Sequence, residues 1–200
     1  MNDLWIIENN LRCQGYNVLC GVDEAGRGPL AGPVCAAAVI LPENCVLNGL
    51  NDSKKLSAKK RESLFQEICN HAISYGIAFA SVDEIESLNI LNASLLAMNR
   101  AMHELDMDFD LAIIDGNQNR GLDFHTMTIV SGDSKCASIA AASILAKVTR
   151  DRYMCDLALK YPGYGFEQHK GYGTKAHYDA LRRLGPCEAH RQSFLRKMHA

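Results

Sequence analysis

The sequence predicts a mixed α/β fold, a sheet flanked by helices, with a helical extension at its C-terminal end. Three observations predict it. Short apolar runs bounded by turn residues come early, amphipathic helical patterns intermix with them, and the last third carries helical patterns alone. The length is that of one domain, spanning 1–200, with a core over about 1–160 and a helical extension over about 161–200.

Five apolar runs read as buried strands: Val18 to Val22, Val34 to Leu41, Gly76 to Ser81, Leu111 to Ile114 and Met127 to Val130. A helix is expected after Ser57, a good N-cap residue, running to about His71. A second is expected after Asp83, which has capping-box spacing to Glu86, with Leu91, Leu95, Met98 and Met102 on its core face. The stretch from about Ala137 to Leu159 is rich in Ala and Ser, which permit close packing on a sheet. Another helix runs from Thr174 to Leu184 and stops at Gly185-Pro186, and a short one follows Cys187. The strand order is not recoverable from pattern alone.

Hydrophobic residues make up 48% of the chain and charged residues 22%, which excludes a disordered chain and allows a sizeable core. No apolar stretch approaches the ~20 residues of a membrane span. The first ten residues lack the basic flank and apolar run of a secretion signal. The eight cysteines form no C-x-x-C pair, and several lie in apolar runs, as reduced thiols do, although their even number leaves a disulfide set conceivable. The expectation is a cytoplasmic, monomeric protein without membrane association. From Ser134 onward there are 12 Lys/Arg against 5 Asp/Glu, whereas the residues before it hold 9 against 18. That basic third suits a polyanionic partner, or equally a solvated helical face. Lys59, Lys60 and Arg61 read as a solvated helix face.

The segment Gly21-Val22-Asp23-Glu24-Ala25-Gly26-Arg27-Gly28-Pro29 runs an apolar strand into two adjacent carboxylates and a glycine-rich turn. Two ionised acids side by side at a strand end repel each other and resist desolvation unless they face water or a cation. Neighbours on a regular strand point to opposite faces, so Asp23 and Glu24 share a site only where the strand ends or twists. Asp115 follows the apolar Leu111–Ile114 run, at the strand end where α/β sheets bind ligands, though Asp115-Gly116-Asn117 is also an ordinary turn. Asp133 precedes the long helix and reads as its N-cap, a place that also keeps a carboxylate ionised. No His or Cys cluster has zinc spacing. An all-oxygen set selects Mg²⁺ or Mn²⁺, and a pair of ions roughly 3.5–4 Å apart suits phosphodiester hydrolysis. The residues alone reach only to metal-dependent phosphoryl chemistry.

Beyond these acids, the sequence resembles bacterial ribonuclease HII. The resemblance rests on Val22 to Pro29, Asp52-Ser53-Lys54-Lys55-Leu56, Ile114 to Asn117, Gly132-Asp133-Ser134, Ala141 to Asp151 and Tyr164-Gly165-Phe166. It continues through His169 to Thr174, His190-Arg191 and Ser193-Phe194, in the family's order and over nearly the whole chain. The resemblance implies an RNase H-like fold and an endonuclease using Mn²⁺ or Mg²⁺, with two ions in the catalytic complex. Its implied substrates are RNA·DNA hybrids and DNA containing ribonucleotides, cut on the 5′ side of a ribonucleotide to leave 3′-OH and 5′-phosphate ends. Asp23, Glu24, Asp115 and Asp133 match the family's metal-site acids. Gly26, Arg27 and Gly28 match the turn that reads the ribose 2′-OH, and Tyr172 matches the residue that stacks on the following sugar. Lys54 and Lys55 are then expected on phosphates. Lys147 and Arg150, three apart on one helix face, are expected to touch one backbone strand. His169 is expected to be a hydrogen-bonded structural histidine.

Three alternatives compete with this reading. Ribonuclease HIII usually carries an added N-terminal domain, for which there is no room before Asp23. A non-catalytic hybrid-binding protein would have lost an acid. A nucleotide binder using Gly26-x-Gly28 as a phosphate loop has the wrong glycine spacing, with Glu24 repelling the phosphate.

Overall fold

The computed structural model describes residues 4–51, 53 and 56–196. After α1 (Ile6–Cys13), the first strands are β1 (Leu19–Ala25) and β2 (Val34–Ile40). Helix α2 (Ala58–His71) leads to β3 (Ser74–Ala80), then α3 (Val82–Leu88) and α4 (Ile90–His103). Strands β4 (Leu111–Asp115) and β5 (Thr126–Ile129) precede α5 (Ala137–Lys160), followed by α6 (Phe166–His169), α7 (Lys175–Leu184) and α8 (Gln192–Leu195). The sheet order is β3-β2-β1-β4-β5. β1 and β2 pair antiparallel, as do β2 and β3, while β4 lies parallel to β1 and β5 parallel to β4. The mixed sheet flanked by helices is the fold expected.

Alternation along the strands divides the core into two faces. Cys20, Val22, Ala36 and Ala38 pack with Met98 and Met102 of α4. Cys35, Ala37 and Val39 pack with Ala141, Ala142 and Leu145 of α5. Small side chains bring α5 onto the sheet, and at Gly21 the approach tolerates nothing larger, since a Cβ there would lie 2.2 Å from the Ser138 carbonyl carbon. The C-terminal segment folds back against the core. Leu30, Ala31 and Met154 share a cluster with Phe166, Leu181 and Leu195.

Four sequence expectations change. β1 runs on to Ala25, so Asp23 and Glu24 lie inside the paired strand, opposite Ala37 and Ala36. The capping box is Ser81 with Glu84, not Asp83 with Glu86; Glu86 instead accepts from the Ser193 hydroxyl at 2.7 Å. The helix expected there breaks at Asn89, in the left-handed region at φ 68°, whose side chain accepts from Leu91 N and Asn92 N. Asp133 sits in a single 3-10 turn, Gly132–Ser134, and the N-cap of α5 is Cys136. α1 and α6 were not expected: α1 precedes the first strand signal, and α6 is one turn long.

Candidate active site

The register places Asp23 and Asp115 side by side. β1 and β4 are parallel with Val22 opposite Ile114, so the next residue on each strand is a carboxylate. Both point to the α5 face, where the turn before α5 brings Asp133. One carboxylate oxygen from each of Asp23, Asp115 and Asp133 lies within 4.8 Å of the other two. Among the described residues this is the one group of three or more His, Cys, Asp or Glu so disposed. Asp115 also ties the turn down, accepting from Gly132 N at 2.6 Å.

Asp23 is buried, and its carboxyl is pushed well above the usual carboxylate range, first by burial and then by repulsion from Glu24 and Asp115. A hydrogen bond from Ser143 and one from Glu24 N at 2.7 Å oppose the shift. Ser143 in turn meets Ser53 hydroxyl to hydroxyl at 2.8 Å, which tucks that part of the Asp52–Leu56 motif beside Asp23. A polar side chain in the otherwise apolar Ala141–Ala146 run is the sequence signal for Ser143, but it reads equally as helix filler. The donor set fits a divalent cation: three hard oxygen ligands, of which Asp23 and Asp133 are buried and Asp23 is crowded by like charge, a repulsion that a positive ion would relieve.

Glu24 does not join that group. It emerges on the opposite face of β1, 3.3 Å from Arg27, where it lines a small pocket with Leu95, Met98, Asp115 and Asn117. The fourth acid thus flanks the cluster from across the sheet, with Asp115 reaching both sides.

Beside the acids, the turn after β1 is held from below by two buried arginines. Arg191 donates to the carbonyls of Gly26, Arg27 and Gly32 at 2.7–3.0 Å. Arg150 donates to Pro33, Ala31 and Lys170 carbonyls at 2.9–3.1 Å. Arg150 is therefore not on the surface where a phosphate would meet it, because helix geometry aims it under the turn and its guanidinium is committed to main-chain oxygens. Gly26 has φ 103°, and a Cβ there would sit 2.1 Å from Arg150 Nε, so only glycine fits. The peptides of this turn are trans, so with the Gly26 and Arg27 carbonyls turned toward Arg191, the N–H groups of Arg27 and Gly28 point away from it.

Tyr172 is half-exposed on the far side of this turn, its ring 3.8 Å from where a Gly28 Cβ would be. Lys147 lies 5.9 Å over that ring and pairs with Asp151 at 2.6 Å. Burial lowers its ammonium pKa, against the pull of Asp151. Lys54 and Lys55 lie outside the described residues. Arg61, expected on a solvated face, donates to the Ser53 and Leu56 carbonyls at 2.9 and 2.6 Å and braces that motif.

Behind Tyr172 lies a histidine relay that the sequence did not reveal. Cys187 N donates to His190 Nδ1 at 3.0 Å, His190 and His177 meet through their Nε2 atoms at 3.0 Å, and His177 Nδ1 reaches the Tyr172 carbonyl at 3.0 Å. One polarity satisfies the chain: each neutral ring accepts at one nitrogen and donates from the other. His169 stacks on His177 and bonds the Tyr164 carbonyl at 2.8 Å. The only signal in the sequence is four histidines in the last third, which reads as charge.

Known proteins fit this geometry. A sequence profile described as Ribonuclease HII matches residues 20–198. A Ribonuclease HII of Caldicellulosiruptor bescii is 51% identical over 96% of this chain and 93% of its own length. One from Burkholderia pseudomallei is 59% identical over 88% of this chain and 83% of its own. The crystal structure of the ribonuclease H2 from Pyrococcus horikoshii superposes with a TM-score of 0.74 at 26% identity, covering 90% of this chain and 96% of that one. Profile, relatives and fold agree over nearly the whole length, and the chain belongs to the ribonuclease HII family of endonucleases.

Proposed function

We propose that this chain is a metal-dependent endonuclease that hydrolyses the RNA strand of RNA·DNA hybrids and nicks DNA on the 5′ side of an embedded ribonucleotide, leaving 3′-OH and 5′-phosphate ends. The observation that carries the reading is the convergence of Asp23, Asp115 and Asp133 beside a glycine turn flanked by an exposed tyrosine.

Asp23, Asp115 and Asp133 would hold Mg²⁺ or Mn²⁺, with Glu24 completing the set from the other face. Bound ions there, two in the catalytic complex, supply an activated water and charge stabilisation for the leaving oxygen. The chain's own residues supply position. The outward N–H groups of Arg27 and Gly28, with Gly26 giving the turn its shape, meet the ribose 2′-OH, which distinguishes RNA from DNA. Tyr172 stacks on the next sugar. Lys54, Lys55 and Lys147 meet phosphates, which fix register without reading sequence. Arg150, expected on a phosphate, is assigned instead to supporting the turn. We read the protein as a cytoplasmic monomer; among the described residues no helix is long and apolar enough to cross a membrane.

The test is a labelled DNA duplex carrying one ribonucleotide, incubated with each metal in turn. A single metal-dependent cut on its 5′ side, with 3′-OH and 5′-phosphate ends, is the expected result. Cutting on the 3′ side, or in a duplex without ribonucleotides, contradicts the reading.

A further inference from the structure

The start of α5 carries the Asp133 turn, yet its own N-cap, Cys136, makes no side-chain cap hydrogen bond. A helix start leaves four N–H groups in need of partners. Here two find theirs in the N-terminal segment, 130 residues away in sequence for Glu8 and Ser138. Leu4 O accepts from Ala137 N at 3.1 Å, and Glu8 Oε1 accepts from Ser138 N at 2.9 Å and from the Ser138 hydroxyl. Glu8 is buried at 1% exposure, an unusual place for a carboxylate, and its Oε2 is buried without a hydrogen-bond partner. Burial raises its pKa, so its position costs stability unless the contact with α5 returns it.

We propose that the N-terminal segment, through Leu4 O and the α1 residue Glu8, caps α5, and that Glu8 is a positioning residue for the acid cluster. The link from Glu8 to the acids is short and stiff. Gly132 O accepts from Lys135 N and Cys136 N, and Gly132 N binds Asp115 Oδ1. A Cβ on Gly132 would lie 2.6 Å from Ile139 Cδ1, so the turn is clamped directly on the first turn of α5. Ile139, Cys136, Leu11 and Ile113 pack in one cluster, which joins α1, α5 and the strand bearing Asp115. Glu8 thus sets where α5 begins, and that start sets where Asp133 stands relative to Asp115. The inference rests on the reading of these acids as the metal site.

Two measurements on the full chain test it, both at a temperature where circular dichroism shows every variant folded. In the metal-free protein, Glu8→Ala is expected to speed amide hydrogen exchange over residues 132–138 by at least about tenfold with β2 unchanged. In Mn²⁺ calorimetry it is expected to raise Kd by about tenfold, the scale of lost support behind a metal ligand. Glu8→Gln, which keeps an acceptor oxygen, is expected to stay within about threefold in both. If Glu8→Ala is insoluble, Glu8→Asp, one methylene shorter, is read in the same way. Unchanged exchange over 132–138, or an unchanged Mn²⁺ Kd alongside a lower Tm, overturns the positioning role. Asp115→Asn is the control: if it leaves Mn²⁺ binding intact, the metal-site reading itself fails and the role of Glu8 falls with it.

Discussion

Asp23 shows how much residue chemistry alone discloses at a single position. A carboxylate at the end of an apolar strand is costly, and the cost is visible in the sequence as a doublet with Glu24. What the sequence could not supply was β1's true end. Because pairing continues to Ala25, the doublet is split across the sheet, and Asp23 alone faces Asp115 and Asp133. Arg150 is the reverse case. Its spacing to Lys147 on one helix face is legible, but at 1% exposure it lies beneath the turn. Period locates a face without saying how deep in the molecule that face lies. Tyr172, by contrast, is left accessible beside Gly28, and the proposed function has its ring stack on the sugar on the 3′ side of the ribonucleotide. Tyr172→Ala is expected to slow cutting at single embedded ribonucleotides more than at long hybrids, measured as kcat/KM on the two substrates. Equal losses would remove its junction role.

Among the elements, the strands were the most legible, because buried apolar runs carry their own boundaries. All five lie where the apolar runs do, to within a few residues. Helix starts were less legible, since capping residues compete. Ser81, Asp83, Asn89 and Glu86 all suit caps or first turns, and only tertiary packing decides among them. Asn89 separates α3 from α4 at a positive φ while capping α4 with its side chain. Asn89→Ala loses the cap and strains the backbone, together costing about 2 kcal/mol. For a chain of this size that lowers Tm by about 4–8 °C. Asn89→Gly keeps the backbone conformation and is expected to cost less; a Gly variant worse than Ala would contradict the cap-and-strain account.

Across the whole molecule, the C-terminal third is what the sequence described least well. Its composition reads as a basic extension, yet its buried Arg191 holds the turn beside the acids, and its buried His177 and His190 join Cys187 to the Tyr172 carbonyl. Charge composition cannot separate a surface arginine from one satisfied by carbonyls. The buried relay also has a pH signature. Burial, with His177 adjacent, lowers the His190 pKa to about 4, and burial lowers that of His177. The unfolded chain titrates near the ordinary value of about 6.5, so below it the unfolded state binds more protons than the native state. Stability is therefore full above that value and falls as pH drops from about 6.5 toward 4, by up to about 3 kcal/mol from His190. Urea unfolding across this window checks it. His190→Asn should flatten the dependence, and an unchanged slope would show that the relay does not set it.

In the proposed function the three converging aspartates hold the metal that cuts the hybrid. The most direct measurement is cleavage and hybrid binding by Asp115→Asn, which keeps the side chain's shape and removes its charge. Cleavage is expected to fall by at least about a thousandfold in Mg²⁺ or Mn²⁺, with hybrid affinity changed by less than about threefold. Activity within about tenfold of the unaltered protein would contradict the account.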